Sequence, residues 1–154
     1  MKRMLVGFVV LALLMVVECS AGGNKSTNKG TTFSVFCTFD SGDFLNSSTI
    51  TIDTTHGSVL SADLYLYSPF SGEEGYFYAP SVSTNAAGDV EITFSGWYDD
   101  LGEFPAELVL TLPVTSLKNY AGGDIIASDS YWEYWDGSWS SGPDYLDNGY
   151  IVSQ

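Results

Sequence analysis

Basic residues are scarce in this chain of 154 residues. It has 5 Lys and Arg against 19 Asp and Glu, a formal net charge of −14, and Lys118 is the only Lys or Arg beyond residue 30. A surface of this sign repels phosphate backbones and anionic lipid headgroups. Nucleic-acid binding is therefore disfavoured, and the folded domain is not expected to attach to a membrane. A cationic protein partner, calcium sites or a salty habitat would each fit this charge, and a solvated, soluble surface is the default interpretation.

Cysteine and histidine are nearly absent as well. The chain has Cys19, Cys37 and a single histidine, His56. Because Cys19 lies in an N-terminal segment that processing removes or modifies, the mature protein has no intrachain disulfide, and its stability must come from a hydrophobic core. Cys37 falls on the apolar face of an alternating segment, which predicts a buried small residue and not a reactive thiol.

Enzymatic motifs are missing too. No Gly-x-Ser-x-Gly elbow is present to combine with His56 in a Ser-His-acid arrangement, and one histidine with one thiol cannot fill a zinc site. Pairs of acids, such as Glu103 with Glu107 or Glu133 with Asp136, have little specificity for glycoside hydrolysis in so acidic a chain. We therefore expect no catalytic residues and a protein that is not an enzyme.

The only long apolar run lies at the N-terminus. Lys2 and Arg3 precede the apolar residues 4–17, and small residues follow at 20–23. This order of a basic, an apolar and a small-residue region is typical of a secretory signal, while the run is shorter than the roughly 20 apolar residues that a transmembrane helix needs. We predict a signal peptide over residues 1–21 and an exported protein.

Two modes of processing fit this signal. Residues 16–19, Val-Val-Glu-Cys, resemble the lipobox of bacterial lipoproteins. The resemblance implies cleavage before Cys19 and a lipid on its side chain, although Glu18 stands where that pattern has a small residue. Ordinary cleavage after Ala21 is the alternative. Residues 22–32 lack apolar periodicity and predict a flexible linker, so the protein is expected either in the cell envelope, held by the lipid alone, or secreted.

Segments of alternating polarity fill the remainder of the chain. The clearest runs over residues 57–68, where Ala62, Leu64 and Leu66 share one face. Such period-2 alternation predicts half-buried antiparallel strands, and no amphipathic run of helical length occurs beyond the signal. We predict one all-β domain over residues 33–154, an antiparallel β-sandwich or barrel of about seven or eight short strands.

Two turn predictions concern residues with functional potential. Residues 96–105 begin with Gly and end with Pro, and are predicted to form a loop that carries Trp97, Tyr98 and several acidic residues. Asp136-Gly137 is a strong signal for a two-residue hairpin turn. Such a turn would pair Trp132 with Ser141.

The stretch from Asp129 to Tyr150 holds three of the four tryptophans. In the predicted hairpin, Trp132, Tyr134 and Trp139 share one face, and Glu133 lies on the other. Exposed rings stack on the C–H faces of sugars, and carboxylates accept hydrogen bonds from sugar hydroxyls. These four residues are the predicted ligand-binding set, with packing of the rings in the core as the alternative.

Acid-rich turns also suggest calcium, because hard cations take several oxygen ligands at close range. No Asp-x-Asp-x-Asp-Gly loop is present, and Asp is equally a turn-forming residue. The weak candidates are Asp99, Asp100, Glu103, Asp136, Asp144 and Asp147.

The leading hypothesis is a non-catalytic, exported binding domain whose ligand is a glycan held by the C-terminal aromatic residues. The alternatives are an acidic inhibitor or adaptor of a cationic extracytoplasmic protein, or a structural subunit of the cell envelope. No cofactor other than calcium is expected.

Overall fold

Antiparallel strands form a closed eight-stranded barrel in the computed structural model, which describes residues 29–137 and 142–154. Around its wall the order is β1-β3-β4-β5-β6-β7-β9-β10, and the first and last strands pair to close it. The short strands β2 and β8 add to this wall. The strands are β1 (Thr31–Phe39), β2 (Phe44–Leu45), β3 (Ser48–Asp53), β4 (Ser58–Tyr67), β5 (Glu74–Thr84), β6 (Val90–Asp99), β7 (Glu103–Leu112), β8 (Gly122–Asp124), β9 (Tyr131–Tyr134) and β10 (Asp144–Ser153).

The predicted fold class is confirmed, and the choice left open between sandwich and barrel is decided for the barrel. No helix among the described residues is long and apolar enough to cross a membrane. The signal peptide, Cys19 and Trp139 lie outside the described residues. β1 begins at Thr31, so the last two residues of the predicted linker belong to the barrel wall.

Alternation along the strands fills the barrel interior with apolar side chains. On β6, for example, Val90, Ile92 and Phe94 are buried. Burying each such side chain contributes roughly 1.5–3 kcal/mol, which supplies the stability that a disulfide would otherwise add. Cys37 is part of this core, and burial raises the pKa of its thiol. The prediction that Cys37 is a buried small residue is confirmed. The largest fully buried side chains are Phe33, Phe39, Phe77, Phe94, Ile50, Ile52, Leu64, Leu66, Ile92, Leu108, Leu110 and Leu112.

The loop predicted over residues 96–105 is wrong. β6 continues to Asp99 and β7 begins at Glu103, with the two residues paired, so the true turn is only 100–102. The alternation simply continues, and Tyr98 is an inward-facing residue that is 3% exposed. Gly96 is not a strand breaker here, since it lies beside an irregularity in β5 at which the two strands approach closely.

The predicted two-residue turn at Asp136-Gly137 is also wrong. Trp132 pairs with Asp144 and not with Ser141, and Tyr131 pairs with Tyr145. Register is set by the buried face of a strand, and Trp132 is held inside the barrel at 5% exposure. The connection between β9 and β10 therefore spans residues 135–143, and local turn propensity does not determine it.

The close approach at Gly96 yields a stability prediction. A Cβ atom added there would overlap the carbonyl oxygen of Tyr76, which belongs to the backbone of β5. Since backbone cannot rotate away, we expect Gly96→Ala to destabilise the barrel by about 3 kcal/mol or more. The neighbouring exposed residue gives the control, Ser95→Ala, which should change stability by less than about 0.5 kcal/mol. Equal denaturation midpoints for the two variants would contradict the close approach.

Candidate ligand-binding site

A cavity of about 440 Å³ opens at one end of the barrel. Strands β1, β4, β6 and β9 run in the same direction, so their C-terminal ends lie at the same end of the barrel. This end carries the turn after β1, the β4–β5 loop, the β6–β7 turn and the start of β10. Cavities of this size at barrel mouths are typical of small-ligand sites. The lining residues are Ser41, Asp43, Ser68, Phe70, Glu73, Tyr98, Trp132, Tyr134, Gly142, Pro143 and Asp144.

Aromatic rings form the inner wall of the cavity. Tyr98 from β6 lies between Trp132 and Tyr134 of β9, with ring centroids 4.7 and 4.9 Å away. Trp132 and Tyr134 share a face because they are two positions apart on one strand. At the rim, Phe70 is 85% exposed. The π-faces of such rings attract cations and stack on apolar ligand surfaces.

Each of the three inner rings donates a hydrogen bond to a carboxylate. The Tyr98 hydroxyl donates to Glu73 Oε2 at 2.8 Å, and the Trp132 indole Nε1 donates to Asp144 Oδ2 at 3.0 Å. The Tyr134 hydroxyl donates to Asp100 Oδ2 at 2.6 Å. These bonds fix the carboxylates in place, and each carboxylate retains acceptor capacity for a ligand.

Hydrogen bonding to carboxylates also affects the phenols. The bond to Asp100 is the main reason that the pKa of Tyr134 rises to about 12, followed by burial. For Tyr98, burial is the main cause of a raised pKa and the bond to Glu73 is the second. Both phenols therefore stay neutral donors, so no tyrosinate adds to the negative charge of the carboxylates.

Asp43 is the most enclosed acid of the cavity, with 5% of its surface exposed. Burial raises the pKa of its carboxyl, the negative charges of Asp144 and Glu73 raise it further, and hydrogen bonds from Ser68 and Ser41 oppose the rise. A buried acid that lies in a cleft beside like charges and has a shifted pKa is a candidate functional residue.

These acids have no cationic partner in the described part of the chain. The only ion pair found among the described residues joins Asp53 to His56, and no Lys, Arg or His lines the cavity. Like charges that are gathered without compensation disfavour the folded state. The arrangement can therefore accept a positively charged group, because the carboxylates of Glu73 and Asp144 lie at the polar edges of the Tyr98 and Trp132 rings.

The predicted ligand-binding residues are only partly brought together. Trp132 and Tyr134 line the cavity, whereas Glu133 lies on the outer wall, directly opposite Glu107 of β7. Trp139 is outside the described residues. Sequence reasoning missed Asp43, Glu73 and Tyr98, which come from the turn after β1, the β4–β5 loop and strand β6. The one sequence signal for any of these three residues was the alternation of polar and apolar residues along β6, which places Tyr98 on the inward face.

The calcium candidates are spread over different places. Asp99 and Glu103 are paired across the β6–β7 hairpin. Asp100 accepts the hydrogen bond from Tyr134, and Asp144 lines the cavity. Among the described residues no group of three or more His, Cys, Asp or Glu side chains is arranged to hold a metal ion. Calcium binding stays a prediction from the sequence.

His56 has a local structural role. Its Nδ1 lies 2.7 Å from Asp53 Oδ2, and Asp53 also accepts hydrogen bonds from the backbone N–H groups of Thr55 and His56. The His56 side chain is otherwise 63% exposed. These bonds lower the pKa of Asp53 and tie the β3–β4 turn.

Comparison with known proteins gives no relative: no protein-family model matches the chain, and no match was found among curated proteins or solved structures.

The raised pKa of Asp43 gives a pH-dependent stability prediction. A carboxyl whose pKa is higher in the folded than in the unfolded chain, where it is about 3.9, favours folding when protonated, and that contribution is lost as pH rises through the folded value. We expect Asp43→Asn to raise Tm at pH 7 relative to wild type, and the gain to vanish as pH falls to about 4.

Thermal unfolding at both pH values measures this effect. Asp40→Asn is the control, because it removes an exposed acid of the same turn and changes net charge equally. A lower Tm of Asp43→Asn at pH 7 would mean that the hydrogen bonds from Ser68 and Ser41 outweigh burial.

Proposed function

We propose that the protein is a non-catalytic binding domain that takes a cationic group of its partner, a lysine or arginine side chain, into the cavity. The observation that carries the proposal is the combination of aromatic rings and uncompensated carboxylates in one opening of about 440 Å³. Of the hypotheses from the sequence, this favours the adaptor or inhibitor of a cationic protein.

The aromatic wall supplies part of the binding free energy. A cation over an aromatic face contributes about 0.5–1 kcal/mol where exposed and about 2 kcal/mol where desolvated. Tyr98 and Trp132 are buried against other rings and support Tyr134, while Tyr134 and Phe70 leave ring surface exposed at the opening. The aliphatic stem of a lysine or arginine also packs well on such rings.

The carboxylates supply charge complementarity. Glu73 and Asp144 are held by Tyr98 and Trp132, so a ligand meets them already oriented. Charge-assisted hydrogen bonds from an ammonium or guanidinium group are roughly twice as strong as neutral ones. The negative field of the whole chain would in addition accelerate encounter with a basic partner.

Export places this partner outside the cytoplasm. The basic, apolar and small-residue order of residues 1–23 supports a signal peptide, and Cys19 supports a lipid anchor, with release after Ala21 as the alternative. In this proposal the domain captures a basic extracytoplasmic protein, either from the membrane surface or in solution.

The test is titration of the full-length protein with a short lysine-rich peptide and an arginine-rich peptide by calorimetry. The double variant Glu73→Gln/Asp144→Asn keeps the shape of the cavity and removes two of its charges. We expect it to weaken binding of these peptides at least tenfold, about 1.4 kcal/mol, while the same peptides with acetylated lysines or with citrulline show no binding to wild type.

The control is Asp63→Asn/Asp124→Asn, which removes two exposed acids elsewhere on the barrel. Its affinity should fall much less, since exposed charges far from the ligand are screened at physiological salt. Equal losses in both double variants would show that only the overall charge attracts the peptides, and the cavity would then be excluded as their site.

A further inference from the structure

A second depression lies on the outer wall of the barrel, where β10, β1 and β2 adjoin. Its volume is about 250 Å³, and we call it the wall groove. It is separate from the cavity, with which it shares no lining residue. The groove is lined by Phe36, Cys37, Thr38, Phe44, Leu45, Asn148 and Tyr150.

Two stacked rings form one side of the wall groove. Phe36 of β1 and Tyr150 of β10 are directly paired across the strands, with centroids 4.9 Å apart and planes 22° from parallel. Phe36 is 44% exposed and Tyr150 is 41% exposed. Both alternate outward from the core, so the stack leaves a large apolar surface in contact with water. Exposed aromatic surface of this kind marks interaction sites.

The rings of the wall groove continue along the barrel. Phe44 lines the groove and contacts Tyr67 of β4 edge to face at 5.7 Å. Further round the wall, Tyr65, Tyr76 and Trp97 follow on β4, β5 and β6, with centroids 4.9 Å apart at each step. A row of partly buried rings therefore crosses adjacent strands beyond the exposed Phe36–Tyr150 pair, which suits an elongated ligand better than a compact one.

Polar groups without charge complete the wall groove. Thr38 and Asn148 are exposed, and their backbones are paired across β1 and β10 next to the Phe36–Tyr150 pair. A threonine hydroxyl and an asparagine amide both donate and accept hydrogen bonds. No Asp, Glu, Lys or Arg lines the groove, although the chain carries a net charge of −14. Charge complementarity therefore selects an uncharged ligand.

We propose that the wall groove binds a neutral polysaccharide. A sugar ring presents C–H groups on its faces and hydroxyls at its edges, so the faces stack on Phe36 and Tyr150 while the hydroxyls bond to Thr38 and Asn148. Neighbouring sugars of the polymer continue over Phe44 and the rings beyond it. The glycan expected from the sequence is thus assigned to the wall and not to the C-terminal hairpin.

The experiment mixes the full-length protein with insoluble neutral polysaccharides (cellulose, xylan, mannan and chitin) and measures its depletion from solution. We expect at least one of them to deplete the wild type, equally in low and high salt, because no charges take part. The double variant Phe36→Ala/Tyr150→Ala should lose at least tenfold in affinity. Thr38→Val and Asn148→Ala, which leave the rings in place, should each weaken binding by a smaller factor.

The matched control is Tyr78→Ala/Tyr145→Ala, which removes two exposed rings that do not line the wall groove. It should bind like the wild type, and the Phe36→Ala/Tyr150→Ala variant should keep its affinity for the lysine peptide. Failure of all four polysaccharides to deplete the wild type, or an equal loss in the control, would overturn the proposal. Neither result would affect the cationic site, which Glu73→Gln/Asp144→Asn tests separately.

Discussion

The pairing of the first strand with the last is the constraint on which the rest of the structure depends. β1 and β10 run antiparallel from Phe33 opposite Ser153 to Phe39 opposite Leu146, and this ladder closes the barrel. It continues into the cavity, where Ser41 donates from its hydroxyl and its backbone N–H to Asp144, at 2.6 and 3.2 Å. Asp144, which accepts a hydrogen bond from the Trp132 indole, is thus also held in place by the turn that follows β1.

Closure explains how an acidic site is maintained without cations. Asp144 accepts hydrogen bonds from Ser41 and Trp132. Glu73 accepts one from Tyr98, and Asp100 accepts one from Tyr134. Hydrogen-bond donors therefore take the place of positive charges around these three carboxylates. Such bonds offset desolvation but leave the negative potential in place. A salt bridge would have cancelled that potential. The uncompensated carboxylates lower the stability of the fold, and burial of apolar side chains inside the barrel offsets that loss.

Alternation predicted the strands and the inward residues well, because each strand buries one face and exposes the other. The same rule gave the shared face of Trp132 and Tyr134. Alternation did not predict the cavity, because Asp43, Glu73 and Tyr98 are distant in sequence and come close together only in the closed barrel. The errors at residues 96–105 and 136–137 have one cause: glycine, proline and Asp-Gly signals describe local preference, and packing inside the barrel overrode it.

The two proposed sites share strands and differ in electrostatics. Thr38 and Asn148 of the wall groove lie on β1 and β10, a few residues from Ser41 and Asp144 of the cavity. In the two proposals, a ligand in the wall groove would contact β1 and β10, and a ligand in the cavity would contact β10 and the turn that follows β1. Each ligand would then stabilise the closed barrel more as its concentration rises above Kd. Salt would separate the two proposed sites, because screening would weaken binding of a cation in the cavity and leave binding of a neutral ligand in the wall groove unchanged. Under the two proposals, one chain would combine a salt-sensitive and a salt-insensitive contact at neighbouring parts of the β1–β10 ladder.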